Sequence, residues 1–103
     1  MSSGLADTSI ARNTLLEALH RYLESNGRRL LAMISTLGQE AVDIESTALY
    51  GYYRPTPPLM RVEDAIAILC EKSVSLLSGG VELICSRPPR LRVRRKYIEE
   101  LLG

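Results

Sequence analysis

The sequence predicts a single α+β domain, residues 1–103, in which two or three helices pack on a small antiparallel sheet. A length of 103 residues supports one hydrophobic core and no second independent domain. Apolar residues recur at helical spacing in two stretches and alternate with arginines near the C-terminus. The chain has no Phe or Trp, so the core must be aliphatic. We expect residues 1–7 to be disordered.

Residues 8–25 are predicted to form an amphipathic helix. Its apolar residues follow spacings of three, four and seven, which gather them on one face: Ala11, Leu15, Ala18, Leu19, Tyr22 and Leu23. Glu17 and Arg21 lie one turn apart on the outer face, where they can pair. We expect Asn26-Gly27 to end the helix, because glycine readily takes the left-handed conformation of a helix stop.

Residues 28–50 fit two structures. Their apolar spacing suits a helix broken near Gly38, whereas residues 30–34 and 42–44 alternate as antiparallel strands would. Gly38 is a natural break in both cases. Residues 50–58 are predicted to be irregular, because three prolines and a glycine in nine positions disfavour both helix and sheet.

A second helical stripe begins just past Pro58 and can run from residue 62 to residue 78. Alternatively the helix ends near Lys72, and residues 74–85 form a hairpin that turns at Gly79-Gly80. The predicted pairs of that hairpin are Leu76 with Leu83 and Val74 with Cys85. Both alternatives make Val81 to Cys85 a strand.

The C-terminal part of the chain is predicted to form a strand and a short helix. Pro88-Pro89 interrupts the preceding strand, residues 90–94 resume an extended pattern, and residues 95–102 close the chain as a helix. No internal repeat or linker is evident in the sequence.

The two cysteines, Cys70 and Cys85, are too few for a disulfide scaffold and have no metal-ligand spacing. We predict buried free thiols, with one disulfide as the alternative. The longest apolar run, residues 30–34, is too short to span a membrane, and no secretory signal is evident. A cytoplasmic protein without a membrane partner is therefore expected. Arginine outnumbers lysine, which favours a GC-rich genome or a thermophilic source.

Residues 87–96 carry six of the 13 basic residues, whereas residues 1–86 hold seven basic and ten acidic residues. This asymmetry indicates an anionic partner. In an extended strand, Arg90, Arg92 and Arg94 lie on one side, about 6.6 to 6.8 Å apart, a spacing suited to neighbouring phosphates. We expect that strand to lie at the sheet edge. The alternatives are charges that protect a solvated edge, or surface ion pairs with the acids of the body.

Arg95 and Lys96 begin the final helix, and Glu99 and Glu100 lie near its end. This order is the reverse of the one that the helix dipole favours, so helix stability alone does not explain it. A role in binding an anion would explain it.

Three of the five tyrosines, Tyr50, Tyr52 and Tyr53, fall within four residues and are followed by Arg54. Proteins hold single-stranded nucleic acid by stacking bases on aromatic rings beside arginines, and this segment supplies both. Gly51 would let a base or backbone come close. The alternative is that the rings cover the end of the core with their hydroxyls in water.

A helix, a tyrosine-rich stretch and an arginine-rich extended end resemble the ThermoDBP-type single-stranded DNA-binding proteins of thermophilic archaea and their shorter relatives. The resemblance covers most of the chain in character, without a short defining motif. It implies helices packed on a small antiparallel sheet and a homo-oligomer from an archaeal thermophile.

The leading hypothesis is a non-catalytic protein that binds single-stranded DNA or RNA. The residues expected to contact phosphates or bases are Tyr50, Tyr52, Tyr53, Arg54, Arg87, Arg90, Arg92, Arg94, Arg95 and Lys96. One alternative is an interaction or assembly module whose arginine strand docks on an acidic partner or a symmetry mate. Another is a winged-helix duplex binder, with residues 60–72 in the groove and Gly79-Gly80 as the wing.

The winged-helix alternative is weakened by Glu63, Asp64 and Glu71, because acids on a recognition helix repel phosphate. No catalytic, cofactor or metal site is predicted. His20 is the only histidine and is expected on the surface.

Overall fold

A computed structural model describes residues 3–103, with side chains from Thr8 onward. The helices are α1 (Ser3–Thr36), a 3-10 helix (Ser46–Tyr52), α2 (Val62–Glu71) and α3 (Arg95–Leu102). The strands are β1 (Ala41–Glu45), β2 (Leu76–Ser78), β3 (Val81–Ile84) and β4 (Arg90–Arg94). They form one antiparallel sheet, and the predicted α+β class is confirmed. Residues 1–7 are expected to be disordered. Residues 1 and 2 lie outside the described residues, and α1 begins at Ser3.

Helix α1 continues through Asn26-Gly27, so the predicted helix end at this position is wrong. A Cβ atom on Gly27 would lie 2.8 Å from Leu102 Cδ1 and 3.4 Å from Ile98 Cγ2. Gly27 therefore lets α3 pack closely against α1, and it has this role within a continuous helix.

The helix instead ends at Thr36, and Gly38, two residues further on, has a φ of 70°. The backbone N–H groups of Gly38 and Gln39 donate to the carbonyl oxygens of Ser35 and Ile34, at 3.1 and 2.8 Å. This bonding pattern with a left-handed glycine is a Schellman helix stop. Residues 28–50 thus combine the two alternatives. The helical alternative holds up to Thr36, where α1 ends, and the strand alternative holds for β1, which follows.

The strand order in the sheet is β1-β4-β3-β2, so β4 is an interior strand. The prediction of an arginine-rich edge strand is therefore wrong, because β1 pairs with the free side of β4. Helices cover one face of the sheet. The strand side chains buried there are Ile44, Leu77, Val81, Leu83, Leu91 and Val93. The buried helical side chains that complete the core include Ala11, Leu15, Leu19, Leu23, Val62, Ala65, Leu69 and Ile98.

A hairpin joins β2 and β3 at Gly79-Gly80, as the shorter-helix alternative predicted. The predicted register is wrong, because Leu76 pairs with Glu82 and Ser78 pairs with Val81. An irregularity between Leu76 and Ser78 shifts the pairing. Val74 does not join the strand, since its N–H donates to the carbonyl of Leu69 at 2.8 Å and closes the end of α2.

Cys70 and Cys85 form a disulfide that ties the last turn of α2 to the end of β3, so the prediction of buried free thiols is wrong. The two Cα atoms lie 6.0 Å apart, within the range that a disulfide bridges. Cys85 is exposed and Cys70 is half-buried. The bridge encloses the hairpin, with a sequence separation of 15 residues.

The Cys70→Ser, Cys85→Ser double variant is expected to unfold with a free energy lower by about 3 kcal/mol, because the unfolded chain regains the entropy of a short closed loop. Urea unfolding followed by far-UV circular dichroism measures the difference. Reductant should destabilise the wild type by a similar amount and leave the double variant unchanged. Equal stability of the wild type with and without reductant would contradict the disulfide.

Gly27→Leu is expected to destabilise the fold by about 1 to 3 kcal/mol, because a large side chain overpacks the contact between α1 and α3. Gly27→Ala is the matched control. Its Cβ displaces only the flexible end of Leu102, and alanine adds about 1 kcal/mol of helix propensity. Thermal unfolding of both variants tests the role of Gly27, and a helix stop at this position would make both variants destabilising.

Candidate interaction surfaces

The side of the sheet that the helices leave uncovered is called the open sheet face. Its side chains follow from the strand register and are Ala41, Asp43, Glu45, Leu76, Glu82, Ile84, Arg90, Arg92 and Arg94. The predicted alternation along β4 is present, because Leu91 and Val93 are 1% and 0% exposed while the arginines point outward. The arginines thus form a row on a rigid central strand.

Acids on both neighbouring strands flank this row. Arg92 lies opposite Asp43 on β1 and Glu82 on β3. Its Nε and Nη2 donate to the two carboxylate oxygens of Asp43 at 2.9 and 3.2 Å. Arg90 lies opposite Glu45, and its Nη1 is 3.5 Å from Asp43 Oδ2. Three arginines and three carboxylates therefore share the face, which is charge-balanced.

The hydrogen bond from Arg92, helped by the charges of Arg92 and Arg90, holds the pKa of Asp43 below its ordinary value despite some opposing burial. The same bond raises the pKa of Arg92. Asp43 therefore stays ionised and fixes two guanidinium groups in place. Surface ion pairs with the acids of the body, one of the alternatives for the arginine run, therefore hold for Arg90 and Arg92.

The remaining cations of the run differ in their surroundings. Arg95 pairs with Glu99 at 3.1 Å across one helical turn. Arg87, Arg94 and Lys96 are exposed, and within the described chain no carboxylate lies within 4 Å of their charged nitrogens. Arg94 and Lys96 lie at the end of β4 that adjoins α3, whereas Arg87 precedes the strand.

The tyrosine segment occupies the end of the 3-10 helix and the residue after it. Tyr52 packs edge-on against Tyr22 with ring centroids 5.5 Å apart, and its hydroxyl accepts from Asn26 Nδ2 at 3.2 Å. The hydroxyl of Tyr53 donates to the carbonyl of Leu59 at 2.8 Å. Burial, together with the charge of Asp64, raises the pKa of Tyr53. Tyr52 and Tyr53 thus contribute to packing.

Tyr50 is different, because it is 53% exposed. Its hydroxyl donates to Glu63 Oε2, and this bond lowers the pKa of Glu63 and raises the pKa of Tyr50. Tyr50 borders a groove of about 320 Å³ that we call the tyrosine groove. Its lining residues are Tyr50, Tyr53, Pro55, Met60, Arg61, Val62 and Glu63.

One end of the arginine run approaches the tyrosine groove. A second groove, between α2 and loop 85–89, is lined by both Glu63 and Arg87, and Glu63 also lines the tyrosine groove. The N–H of Ser46, which begins the 3-10 helix, donates to the carbonyl of Pro89 at 2.9 Å. The Arg87 end of the run and the tyrosine groove therefore share Glu63 as a neighbour.

Sequence reasoning missed the residues that define both surfaces. Asp43 and Glu82, which flank the arginine row, come from strands whose order a single sequence does not reveal. Met60 and Arg61 lie beyond the prolines that follow the tyrosines. A usable signal was the alternation of Val42 and Ile44 with acids, which is the counterpart of the alternation in β4.

Within residues 3–103, no helix is long and apolar enough to cross a membrane. No group of three or more His, Cys, Asp or Glu side chains in that part of the chain is placed to hold a metal ion. His20 is half-buried and not fully exposed, with Nε2 2.6 Å from the hydroxyl of Tyr97.

Comparisons with protein-family models, curated proteins and solved structures found no match. The resemblance to ThermoDBP-type proteins and the archaeal thermophilic source stay predictions.

Asp43→Asn is expected to lower the free energy of unfolding at pH 7 by about 0.5 to 1 kcal/mol, since the ion pairs are partly exposed. The folded pKa of Asp43 lies below its ordinary value of 3.8. The ionised carboxylate therefore stabilises the folded state fully at pH values above 3.8, and this stabilisation disappears as the pH falls through the lowered pKa. The difference between wild type and variant should therefore shrink as the pH falls below about 4.

Urea unfolding at a series of pH values measures this difference. Glu45→Gln is the control, because Glu45 lies opposite Arg90 but makes no ion pair in the described chain. A constant difference between wild type and Asp43→Asn at all pH values would contradict the charged pairing.

Proposed function

We propose that the protein is a non-catalytic single-stranded nucleic-acid-binding protein that engages its ligand at the tyrosine groove. The observation that carries the proposal is the exposed ring of Tyr50 at the mouth of this groove. A nucleobase can stack on such a ring, and the apolar walls formed by Pro55, Met60 and Val62 exclude water beside it.

Arginines near the groove supply the contacts to phosphate. Arg54, Arg61 and Arg87 are exposed, and no described carboxylate lies within 4 Å of their guanidinium groups. Arg61 lies close enough for its charge to add to the lowering of the pKa of Glu63 by the Tyr50 hydrogen bond, and to oppose in part the rise that this bond causes in the pKa of Tyr50. The carboxylate of Glu63 offsets part of this positive charge and can accept a hydrogen bond from the amino group of a base.

The balanced open sheet face argues against phosphate binding along the arginine row. Arg90 and Arg92 are already paired with Asp43, and a phosphate would have to displace that carboxylate. The site proposed here therefore makes about three phosphate contacts. For single strands, this number corresponds to a slope of log K against log salt of about −2, whereas six contacts along the whole run would give about −4.

Tyr50→Ala is expected to weaken binding of a fluorescein-labelled single-stranded oligonucleotide by about 1 to 3 kcal/mol, because the stacking surface is lost. Tyr50→Phe is the matched control, since it keeps the ring and removes only the hydroxyl. Fluorescence anisotropy with DNA, RNA and duplex probes at several salt concentrations gives both the affinity and the slope.

A second pair of variants locates the phosphate contacts. Arg61→Ala should reduce the salt slope by about 0.7, as the loss of one phosphate contact requires. The Arg94→Ala, Lys96→Ala double variant should bind like the wild type. Loss of binding in this double variant, with none in Tyr50→Ala, would overturn the proposed site. Absence of binding to every oligonucleotide would overturn the function.

A further inference from the structure

Among the described side chains that line the tyrosine groove, Glu63 is the one carboxylate. It lies there beside Arg61, and both residues are exposed. No ion pair of 4 Å or less joins them in the described chain. A negative charge at this position repels the phosphates of any single strand. It therefore lowers the affinity of the groove unless the ligand also offers hydrogen-bond donors to the carboxylate.

Tyr50 holds this carboxylate beside its own ring. Its hydroxyl donates to Glu63 Oε2, so the carboxylate lies at the hydroxyl end of the ring, next to the edge of any base that stacks there. The same bond lowers the pKa of Glu63, which is therefore ionised at neutral pH. An ionised carboxylate only accepts hydrogen bonds and has about four lone-pair sites, so the bond from Tyr50 leaves capacity for a base.

The other side chains of the groove leave the edge of a base to this carboxylate. The hydroxyl of Tyr53 already donates to the carbonyl oxygen of Leu59 at 2.8 Å, and the cation of Arg61 suits a phosphate. Three further side chains of the groove are apolar and form no hydrogen bond with a base: Pro55, Met60 and Val62. Glu63 is therefore the group that the polar edge of a stacked base meets.

The bases differ in the number of donors that they offer a carboxylate. Guanine presents two neighbouring donors on its Watson–Crick edge, the ring N–H and the amino group. Adenine and cytosine each present one amino group. Thymine and uracil present one N–H between two carbonyl oxygens, and those oxygens repel a carboxylate. The expected order of affinity is therefore guanine first, then adenine and cytosine, with thymine and uracil last.

We propose that the tyrosine groove selects guanine in a single strand, and that Glu63 is the residue that determines this specificity. The base stacks on Tyr50, and both of its Watson–Crick donors bond to the carboxylate. Arg61 remains a contact to phosphate, so the two opposite charges of the groove bind different parts of the strand. The inference rests on the proposed function and adds to it the base that the groove prefers.

Fluorescence anisotropy with labelled single strands of about six nucleotides tests the preference, because strands of this length limit binding in alternative registers. Each probe is a thymidine oligonucleotide with one central base replaced, since a single guanine avoids the four-stranded structures of guanine runs. The guanine probe should bind about tenfold more tightly than the all-thymidine probe. An inosine probe, which lacks only the amino group of guanine, should lie between them.

Glu63→Gln should lose most of the preference for guanine, because an amide is uncharged and its one oxygen replaces the two of the carboxylate. Its affinity for the all-thymidine probe should not fall, since a charge that repels phosphate is removed. Glu71→Gln is the matched control and should keep the full preference. Glu71 is an exposed carboxylate of the same helix and does not line the groove.

Equal affinity of the wild type for the guanine and all-thymidine probes overturns this inference and leaves the proposed function standing. A guanine preference that persists in Glu63→Gln also overturns it, because another group then reads the base. Tighter binding of the adenine or cytosine probe than of the guanine probe does so as well. Absence of binding to every probe overturns the proposed function itself, and with it the inference.

Discussion

Strand β4 is the constraint on which the rest of the structure depends. Its inner side chains, Leu91 and Val93, are almost completely buried, and both of its edges are paired. It continues into α3 without a linker, and the N–H of Arg95 donates to the carbonyl of Glu40 at 2.8 Å. Without β4, β1 would lose its only partner strand, and α3 would lose its link to the sheet.

This interior position explains why carboxylates on the neighbouring strands compensate the positive charge on the outer side of β4. Three guanidinium groups in a row, about 6.6 to 6.8 Å apart, repel one another. Asp43 lies opposite the central arginine and accepts from it, while it also approaches Arg90. The fold therefore uses most of the positive charge of the strand internally. The cations of the arginine run that remain exposed and unpaired in the described chain lie before the strand and at its end.

Local patterns in the sequence predicted the elements well. The alternation of arginine with Leu91 and Val93, the interruption at Pro88-Pro89 and the closing helix all agree with the structure. The turn at Gly79-Gly80 is also where one alternative put it. These features depend on neighbours in the chain, which a single sequence reveals.

The errors share a cause, because each depends on contacts between distant segments. Gly27 looks like a helix stop, yet it accommodates Leu102 of α3. The interior position of β4 follows from pairing with β1, about 50 residues earlier. The Cys70 to Cys85 bridge requires the hairpin to fold back on α2. None of these contacts leaves a periodic signal in the sequence.

The tyrosine segment shows how local geometry divides a cluster that looks uniform in sequence. In a 3-10 helix there are three residues per turn, so residues three apart share a side. Tyr50 and Tyr53 accordingly line the same groove, while Tyr52 points to α1 and packs on Tyr22. Only Tyr50 of these three is largely exposed. Of the three tyrosines that were predicted to stack on bases, Tyr50 is thus the one whose side chain is open to a ligand.

The exposed side of α2 decides how well the fold suits duplex recognition. Helix, strand, helix, helix and hairpin follow one another as in a winged-helix domain, if the 3-10 helix counts as the second helix. Since β4 lies beside β1, the wing would be loop 85–89 and not Gly79-Gly80. Helix α2 would then enter the groove, but Glu63, Ala67 and Glu71 form its exposed side. Two carboxylates there repel phosphate, so a single strand that contacts the helix only at the Tyr50 end meets less repulsion.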